Sequence, residues 1–346
     1  MSTLHTLEQL ASAGLIRDAQ DPDLRQVAER YAVALSPAMA ALIDRQDPAD
    51  PIARQFLPDV RELQRRPEEL ADPIGDEAHS PVKGIVHRYA DRVLLKLTEI
   101  CPVYCRFCFR RELIGPDSGQ GLSAQELEAA LAYIARTPAI WEVILTGGDP
   151  LVLSPRRLGA VVAQLAAIEH VGVIRIHSRV PVVAPERITA ELVAALKGSK
   201  PVYLLLHCNH PRELTEAARA ACARLVEAGI VLLSQSVLLK GVNDDLPTLT
   251  ALMRAFVANR IKPYYLHHPD LAPGTSHFRL DPQQGLRLLR ELRRTTSGLC
   301  QPTYILEIPG GHGKVPLTPR LLEPCTDGGY LIEDLAGRQH RYRDAI

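Results

Sequence analysis

The chain has 346 residues, with 40 basic side chains against 40 acidic ones, so net charge gives no sign of nucleic acid or of an anionic membrane as a partner. The length suits one large domain with extensions, or two domains. No apolar stretch approaches the roughly 18 residues of a membrane helix, the N-terminus lacks a signal-peptide pattern, and the seven cysteines are odd in number and clustered, which argues against a disulfide framework. The expectation is a soluble, cytoplasmic protein.

Residues 1 to about 80 carry helical patterns punctuated by Asp21-Pro22, Asp47-Pro48, Asp50-Pro51 and Pro67. The residue before a proline is pushed out of the α region, so these mark element boundaries. This predicts short helices packed outside the main domain, without chemistry of their own. From Arg92 the chain alternates β-type runs with helical patterns. The strand candidates are Val93–Thr98, Val143–Thr146, Val173–His177, Val202–His207, Ile230–Val237 and Pro263–His267. Helix starts are legible at Ser123 with Glu126, a capping box, at Ser154-Pro155, and at Thr189, whose segment ends near Gly198. Glu213–Gly229, Leu246–Arg260 and Pro282–Thr296 supply later helices. Such alternation predicts parallel strands joined by right-handed crossovers. Periodicity alone leaves an open doubly wound sheet and a barrel equally allowed. After Thr296, Gln301–Pro309 reads as one more strand, and Tyr330–Leu335 as part of a small hairpin.

Three motifs carry chemistry. Cys101, Cys105 and Cys108, spaced C-x3-C-x2-C, follow the first strand candidate. Three thiolates can hold three irons of a 4Fe–4S cube and leave the fourth open to a chelating cosubstrate. Structural zinc wants four ligands, and no second cysteine pair exists here. Next, Thr146-Gly147-Gly148-Asp149-Pro150 ends the second strand candidate; its glycines let backbone approach a ligand closely, although Gly-Gly-Asp-Pro alone is also an ordinary turn. Third, Lys314 sits in Pro309-Gly310-Gly311-His312-Gly313-Lys314-Val315-Pro316. A phosphate-cradling P-loop requires Ser or Thr after the lysine, and Val315 stands there. A surface turn and a Schiff-base lysine remain.

The cysteine spacing resembles the radical S-adenosylmethionine (SAM) superfamily. Together with the Lys314 segment, Gly241-Val242-Asn243-Asp244 and Pro263-Tyr264-Tyr265-Leu266, it resembles the lysine 2,3-aminomutase family, from about Asp47 to Val315. The resemblance implies a partial (β/α)6 TIM-like barrel of the radical SAM type, with ligands at the carboxyl ends of the strands. The division it suggests is an N-terminal helical extension (1–85), the barrel (86–300) and a C-terminal segment carrying the cofactor lysine (301–346). It implies three cofactors: a 4Fe–4S cluster on Cys101, Cys105 and Cys108, SAM, and pyridoxal 5′-phosphate (PLP) held by Lys314 as an imine. A lysine amine is nucleophilic once deprotonated, which a partly desolvated site favours. Gly147, Gly148 and Asp149 would form the loop for the SAM amino group, with Gln235 and Ser236 lining the SAM side. Arg88 and Arg179 would meet the PLP phosphate and Tyr89 its ring. Arg110 would take the substrate carboxylate, and Asp270 and Glu307 its distant ammonium.

The implied reaction moves the α-amino group of L-lysine to the β carbon, using a 5′-deoxyadenosyl radical and an electron donor that the sequence does not identify. Phe109-Arg110-Arg111, His177-Ser178-Arg179 and Glu307 look more like the branch that supplies β-lysine for elongation factor P; Gly310–Lys314 looks more like the catabolic branch. An aminomutase for another amino acid, and an iron–sulfur electron-transfer or redox-sensing protein, are the alternatives. Cys208, Cys222 and Cys300 read as apolar filler, Cys325 stands alone, and no zinc is expected. A homo-oligomer is compatible with everything in the sequence.

Overall fold

The computed structural model describes residues 2–114, 121–319, 321–326, 329–334 and 337–343. A nine-stranded sheet in simple sequential order organises the chain: β1 (Ile85–Tyr89), β2 (Arg92–Thr98), β3 (Glu142–Gly147), β4 (Val173–Ser178), β5 (Val202–His207), β6 (Val231–Val237), β7 (Lys262–His267), β8 (Thr303–Ile308) and β9 (Gly313–Pro316). Strands β2 to β8 are mutually parallel, whereas β1 and β9 add antiparallel edges. Each parallel step is bridged by a helix: Ala124–Ala135, Pro155–Ala166, Ala190–Ala195, Glu216–Glu227, Leu246–Ala258 and Pro282–Thr295. The sheet is therefore an open barrel of the expected kind, with six βα units, a seventh parallel strand β8, and two antiparallel edge strands.

The strands are nearly continuous apolar runs because helices cover one sheet face and the barrel interior the other. One core cluster unites Val93, Leu95 and Leu97 of β2 with Leu131, Ile134, Leu158 and Val162 of the helices. The predicted caps form: Ser123 accepts from the Glu126 N–H within a full capping box, Ser154 from Arg157 and Thr189 from Leu192. Among the described residues, no helix is long and apolar enough to cross a membrane.

One expectation gains a direction and two change. In the extension, Asp21 and Asp50 cap helices Pro22–Arg30 and Pro51–Phe56, with proline at the first helical position. Asp-Pro here thus starts helices, because proline's missing N–H is costless there. Secondly, Lys314 lies on β9 opposite Glu307, and Pro309–His312 forms the turn. Finally, the tail forms a separate three-stranded sheet, β10 (Leu322–Pro324), β11 (Tyr330–Glu333) and β12 (Gln339–Tyr342), rather than a two-stranded hairpin; Leu335 falls outside the described residues. A boundary at 85/86 cuts β1, and one at 300/301 precedes two strands of the barrel's own sheet.

Helix Pro282–Thr295 meets β8 where Gly285 faces the Tyr304 ring, and His268 Nδ1 holds that phenol at 2.8 Å. A Cβ at Gly285 would lie 2.2 Å from the Tyr304 hydroxyl. Gly285→Ala is therefore expected to lower unfolding free energy by about 1–3 kcal/mol through overpacking, although alanine is the better helix former. Equilibrium urea denaturation checks this; stability at or above wild type would show that β8 yields instead.

Candidate active site

One cavity of about 540 Å³ runs through the barrel from the amino ends of β2 and β3 to the carboxyl ends of the strands, and takes in residues of the three chemical motifs. Cys101, Cys105 and Cys108 line it from the segment after β2, Gly147–Asp149 from the end of β3, and Arg179 from beyond β4. Gln235 enters from β6, Asp270 from beyond β7, Glu307 from β8 and Lys314 from β9, while Arg88, Tyr89 and Arg110 complete the wall.

The cysteine segment is held from outside the barrel. Its backbone binds the N-terminal extension twice, Tyr104 N–H to the Ala34 carbonyl at 2.8 Å and Arg106 N–H to Gln55 at 2.9 Å. Glu62, fully buried, receives Arg106 through three contacts of 2.6–3.1 Å and Arg111 through another. Arg106 also donates to the Ala32 carbonyl at 2.7 Å, and Arg111 to Gly274 at 3.1 Å. The extension, expected to carry no chemistry of its own, thus has a structural part in the site: it holds the segment that bears the thiols. Burial pushes all three thiols up, Cys105 to about 12, so their thiolate forms need a cationic group between them. Among the described residues no three His, Cys, Asp or Glu side chains are grouped so as to hold a single metal ion; the three thiols line one side of the cavity from a single segment.

Gly147 and Gly148 serve that same segment. A Cβ on Gly147 would meet the Thr98 carbonyl, and one on Gly148 the Ile100 carbonyl, each at 2.4 Å. Gly147 also has φ +109, so close packing of two backbones explains the pair. Asp149 is spent structurally. Its carboxylate accepts from Ser178 Oγ (2.8 Å) and from the N–H groups of Arg179 (2.7 Å), Val180 (3.2 Å) and Leu151 (3.1 Å), leaving it as the link between the β3 and β4 loops.

Cation pairing dominates the opposite wall. Asp76, a residue the sequence reading missed, binds Arg110 at 2.8 Å and Arg88 at 3.2 Å. Although burial works against its charge, Arg110, Lys96 and Arg88 hold Asp76 below the usual range. Arg88 also reaches Glu307 at 2.6 Å and the Ile74 carbonyl. Glu307 in turn pairs with the Lys314 amine. The Lys314 N–H donates to the Tyr89 hydroxyl at 2.9 Å, and Arg92 covers a face of that ring at 3.9 Å. Arg179 is committed to Glu213 (2.5 Å) and Gln55 (2.7 Å), between Phe56 and Phe107. Both arginines expected at a phosphate are thus already paired, and Glu307 is no free ammonium receptor. Asp270 differs. Among the described residues it has no hydrogen-bond or ion-pair partner, and burial, reinforced by Glu307, pushes its carboxyl up to about 7. Ser236 does not belong to the cavity. Strand alternation turns it away from Gln235's side, and its hydroxyl donates to the Cys208 carbonyl at 2.6 Å.

Asp76, Glu62, Gln55 and Glu213 were missed because long-range pairing leaves no local spacing. The surplus of arginines beside the cysteines was the available signal: buried guanidiniums require carboxylates.

Residues 95–252 match the model of the Radical SAM superfamily. The chain is 38% identical to the L-lysine 2,3-aminomutase of Clostridium subterminale, over 99% of this chain and 82% of that protein. It is 41% identical to the Acetoanaerobium sticklandii L-lysine 2,3-aminomutase, over 96% and 80%. Similarity extends to the glutamate 2,3-aminomutase of Clostridioides difficile, 38% over 86% and 70%.

Glu62→Ala leaves two buried guanidiniums facing one another, a loss of about 3–5 kcal/mol. Urea denaturation should show it, and anaerobic reconstitution should yield less bound iron per chain. Wild-type iron content in this variant would mean that the backbone bonds to Ala34 and Gln55 suffice.

Proposed function

Given that this chain belongs to the lysine 2,3-aminomutase family of radical SAM enzymes, we propose that it converts L-lysine to β-lysine by a 1,2-amino shift, with a 4Fe–4S cluster, SAM and PLP as cofactors. The observation carrying this reading is that three thiols free of disulfides and the Lys314 amine face one cavity, although the chain delivers them from opposite ends of the sheet. An electron-transfer protein needs no such lysine.

The residues present suit these groups. Cys101, Cys105 and Cys108 would hold the cluster, Lys314 the PLP aldehyde carbon, and Gln235 with the Gly147–Gly148 backbone the SAM side. When bound, the cofactors supply a carbon radical and a conjugated ring able to delocalise an unpaired electron. The protein's own work is placement. Tyr89 fixes the backbone of Lys314, and Glu307 serves as counter-ion to its amine until the substrate arrives. Arg110, whose Nε and Nη2 are held by Asp76, would turn its remaining Nη1 to the substrate carboxylate. Asp270 would receive the distal ammonium, since an unpaired buried carboxylate is stabilised by a cation. This also argues against glutamate, whose distal carboxylate would meet Asp270 with like charge. We place the product's use in the modification of elongation factor P, on the likeness of Phe109–Arg111, His177–Arg179 and Glu307 to that branch.

Anaerobic incubation of reduced, reconstituted protein with SAM, PLP and a panel of amino acids tests the reading: β-lysine should form from L-lysine, and exclusive turnover of another amino acid would overturn it. Because the Asp270 carboxyl is raised to about 7, the free site is protonated below that pH, and an incoming ammonium must displace the proton. Lysine affinity should therefore fall up to about tenfold per pH unit as pH drops below 7 and level off above it. Asp270→Asn should flatten the profile. An unchanged slope in that variant would assign the distal amine elsewhere.

A further inference from the structure

Among the described residues nothing in the cavity pairs with the Asp270 carboxylate, so its position is set by the backbone that carries it. That backbone is the loop from 268 to 279, between β7 and helix Pro282–Thr295. The barrel fixes the start of the loop. The His268 N–H donates to the Ile305 carbonyl at 2.8 Å, and His268 Nδ1 meets the Tyr304 hydroxyl at 2.8 Å. Beyond Asp270 the anchors come from outside the barrel. The Leu70 N–H donates to the Leu271 carbonyl at 2.9 Å, and the Gly274 N–H to Glu69 Oε2 at 3.1 Å. Arg279, at the end of the loop, pairs with Glu69 Oε1.

Glu69 does not line the cavity, and its side chain is only 2% exposed. Its backbone N–H donates to the Arg66 carbonyl at 3.1 Å, and its Oε2 accepts the Arg66 N–H at 3.1 Å. The turn 66–69 therefore orients the carboxylate before the loop meets it. A buried carboxylate persists only where cations and N–H groups compensate its lost hydration. Here that compensation comes largely from the Asp270 loop. Gly274 leaves the loop little slack: its φ is +68, and a Cβ there would lie 2.3 Å from the Glu62 carbonyl oxygen. Backbone thus packs on backbone with no side chain between. Arg111, bound to Glu62, also donates to the Gly274 carbonyl at 3.1 Å. The extension accordingly holds the Asp270 loop and the thiol segment against one another.

We propose that Glu69 is the positioning residue for the Asp270 carboxylate, and that it governs the affinity of the site for an amino acid with a distal ammonium. This rests on the reading of Asp270 as the ammonium's receptor. It adds a residue outside the cavity that puts the receptor in place.

Hydrogen exchange on the cofactor-free chain reads the loop directly: in Glu69→Ala the Gly274 amide should exchange about tenfold faster than in wild type. Titrations of PLP-loaded protein, followed by imine absorbance, then compare L-lysine with L-norleucine, which has the same chain without the distal ammonium. In Glu69→Ala the Kd for lysine should rise about tenfold, the scale of one hydrogen bond to a charged group, while that for norleucine moves less than about twofold. Norleucine binding also reports that the variant is folded. Glu69→Gln keeps an acceptor for Gly274 but offers Arg279 no charge. It should lie between, and it carries the same comparison if Glu69→Ala fails to bind norleucine. Adding Glu69→Ala to Asp270→Asn should weaken lysine no further, because both act through one carboxylate. Unchanged exchange at Gly274, equal weakening toward both ligands, or full additivity in the double variant would overturn the positioning role alone. An Asp270→Asn variant that binds lysine as the wild type does would overturn the ammonium reading, and this inference with it.

Discussion

The site depends on side chains that tie together the two edges of an open sheet. Strands β1 and β9 are not hydrogen-bonded to each other, so no backbone ladder closes the barrel. Closure comes from Arg88 on β1 gripping Glu307 on β8 and from the Tyr89 hydroxyl accepting the Lys314 N–H of β9. Those contacts also put the Lys314 amine on its counter-ion. Gly75 packs against the Gly310–Gly311 backbone, where a Cβ would come within 2.6 Å of the Gly311 nitrogen, so the turn before Lys314 is shaped by the N-terminal extension as well.

Carboxylates repeat this logic across the site. Glu62 gathers Arg106 and Arg111, Asp76 gathers Arg88 and Arg110, and Glu213 takes Arg179 with help from Gln55. Buried pairs of this sort contribute little net stability over well-packed apolar groups, but losing one partner strands a charge. Their value here is geometric. Each holds a cation-bearing segment in one orientation around a cavity whose cofactors need fixed separations. Asp270, with no such partner among the described residues, is the exception that leaves room for a ligand.

Much of the architecture was readable from local pattern. Apolar runs marked β2 to β7, and Ser123, Ser154 and Thr189 marked helix starts, because strand period and capping are short-range properties. The antiparallel edges were not readable. Residues 85–89 mix apolar and polar types without a clear alternation, and Gly313–Pro316 is too short and glycine-bordered to announce a strand. The cysteines, the Gly-Gly pair and Lys314 stood out, since their chemistry depends on residue type and spacing. Asp76 and Glu62 did not, because their partners lie 34 and 44 positions away. Ser236 was misassigned beside Gln235 for a simple reason: neighbours on a strand face opposite ways.

The position of Lys314 on the last strand of the sheet sets an order of assembly. A chain emerging from the ribosome exposes its N-terminal part first, so the extension, β1 and the cysteine segment exist before β8 and β9 do. Lys314, with its contacts to Glu307 and Tyr89, is complete only once translation has passed the final barrel strand. The thiol-bearing and amine-bearing walls of the cavity are thereby synthesised in that order.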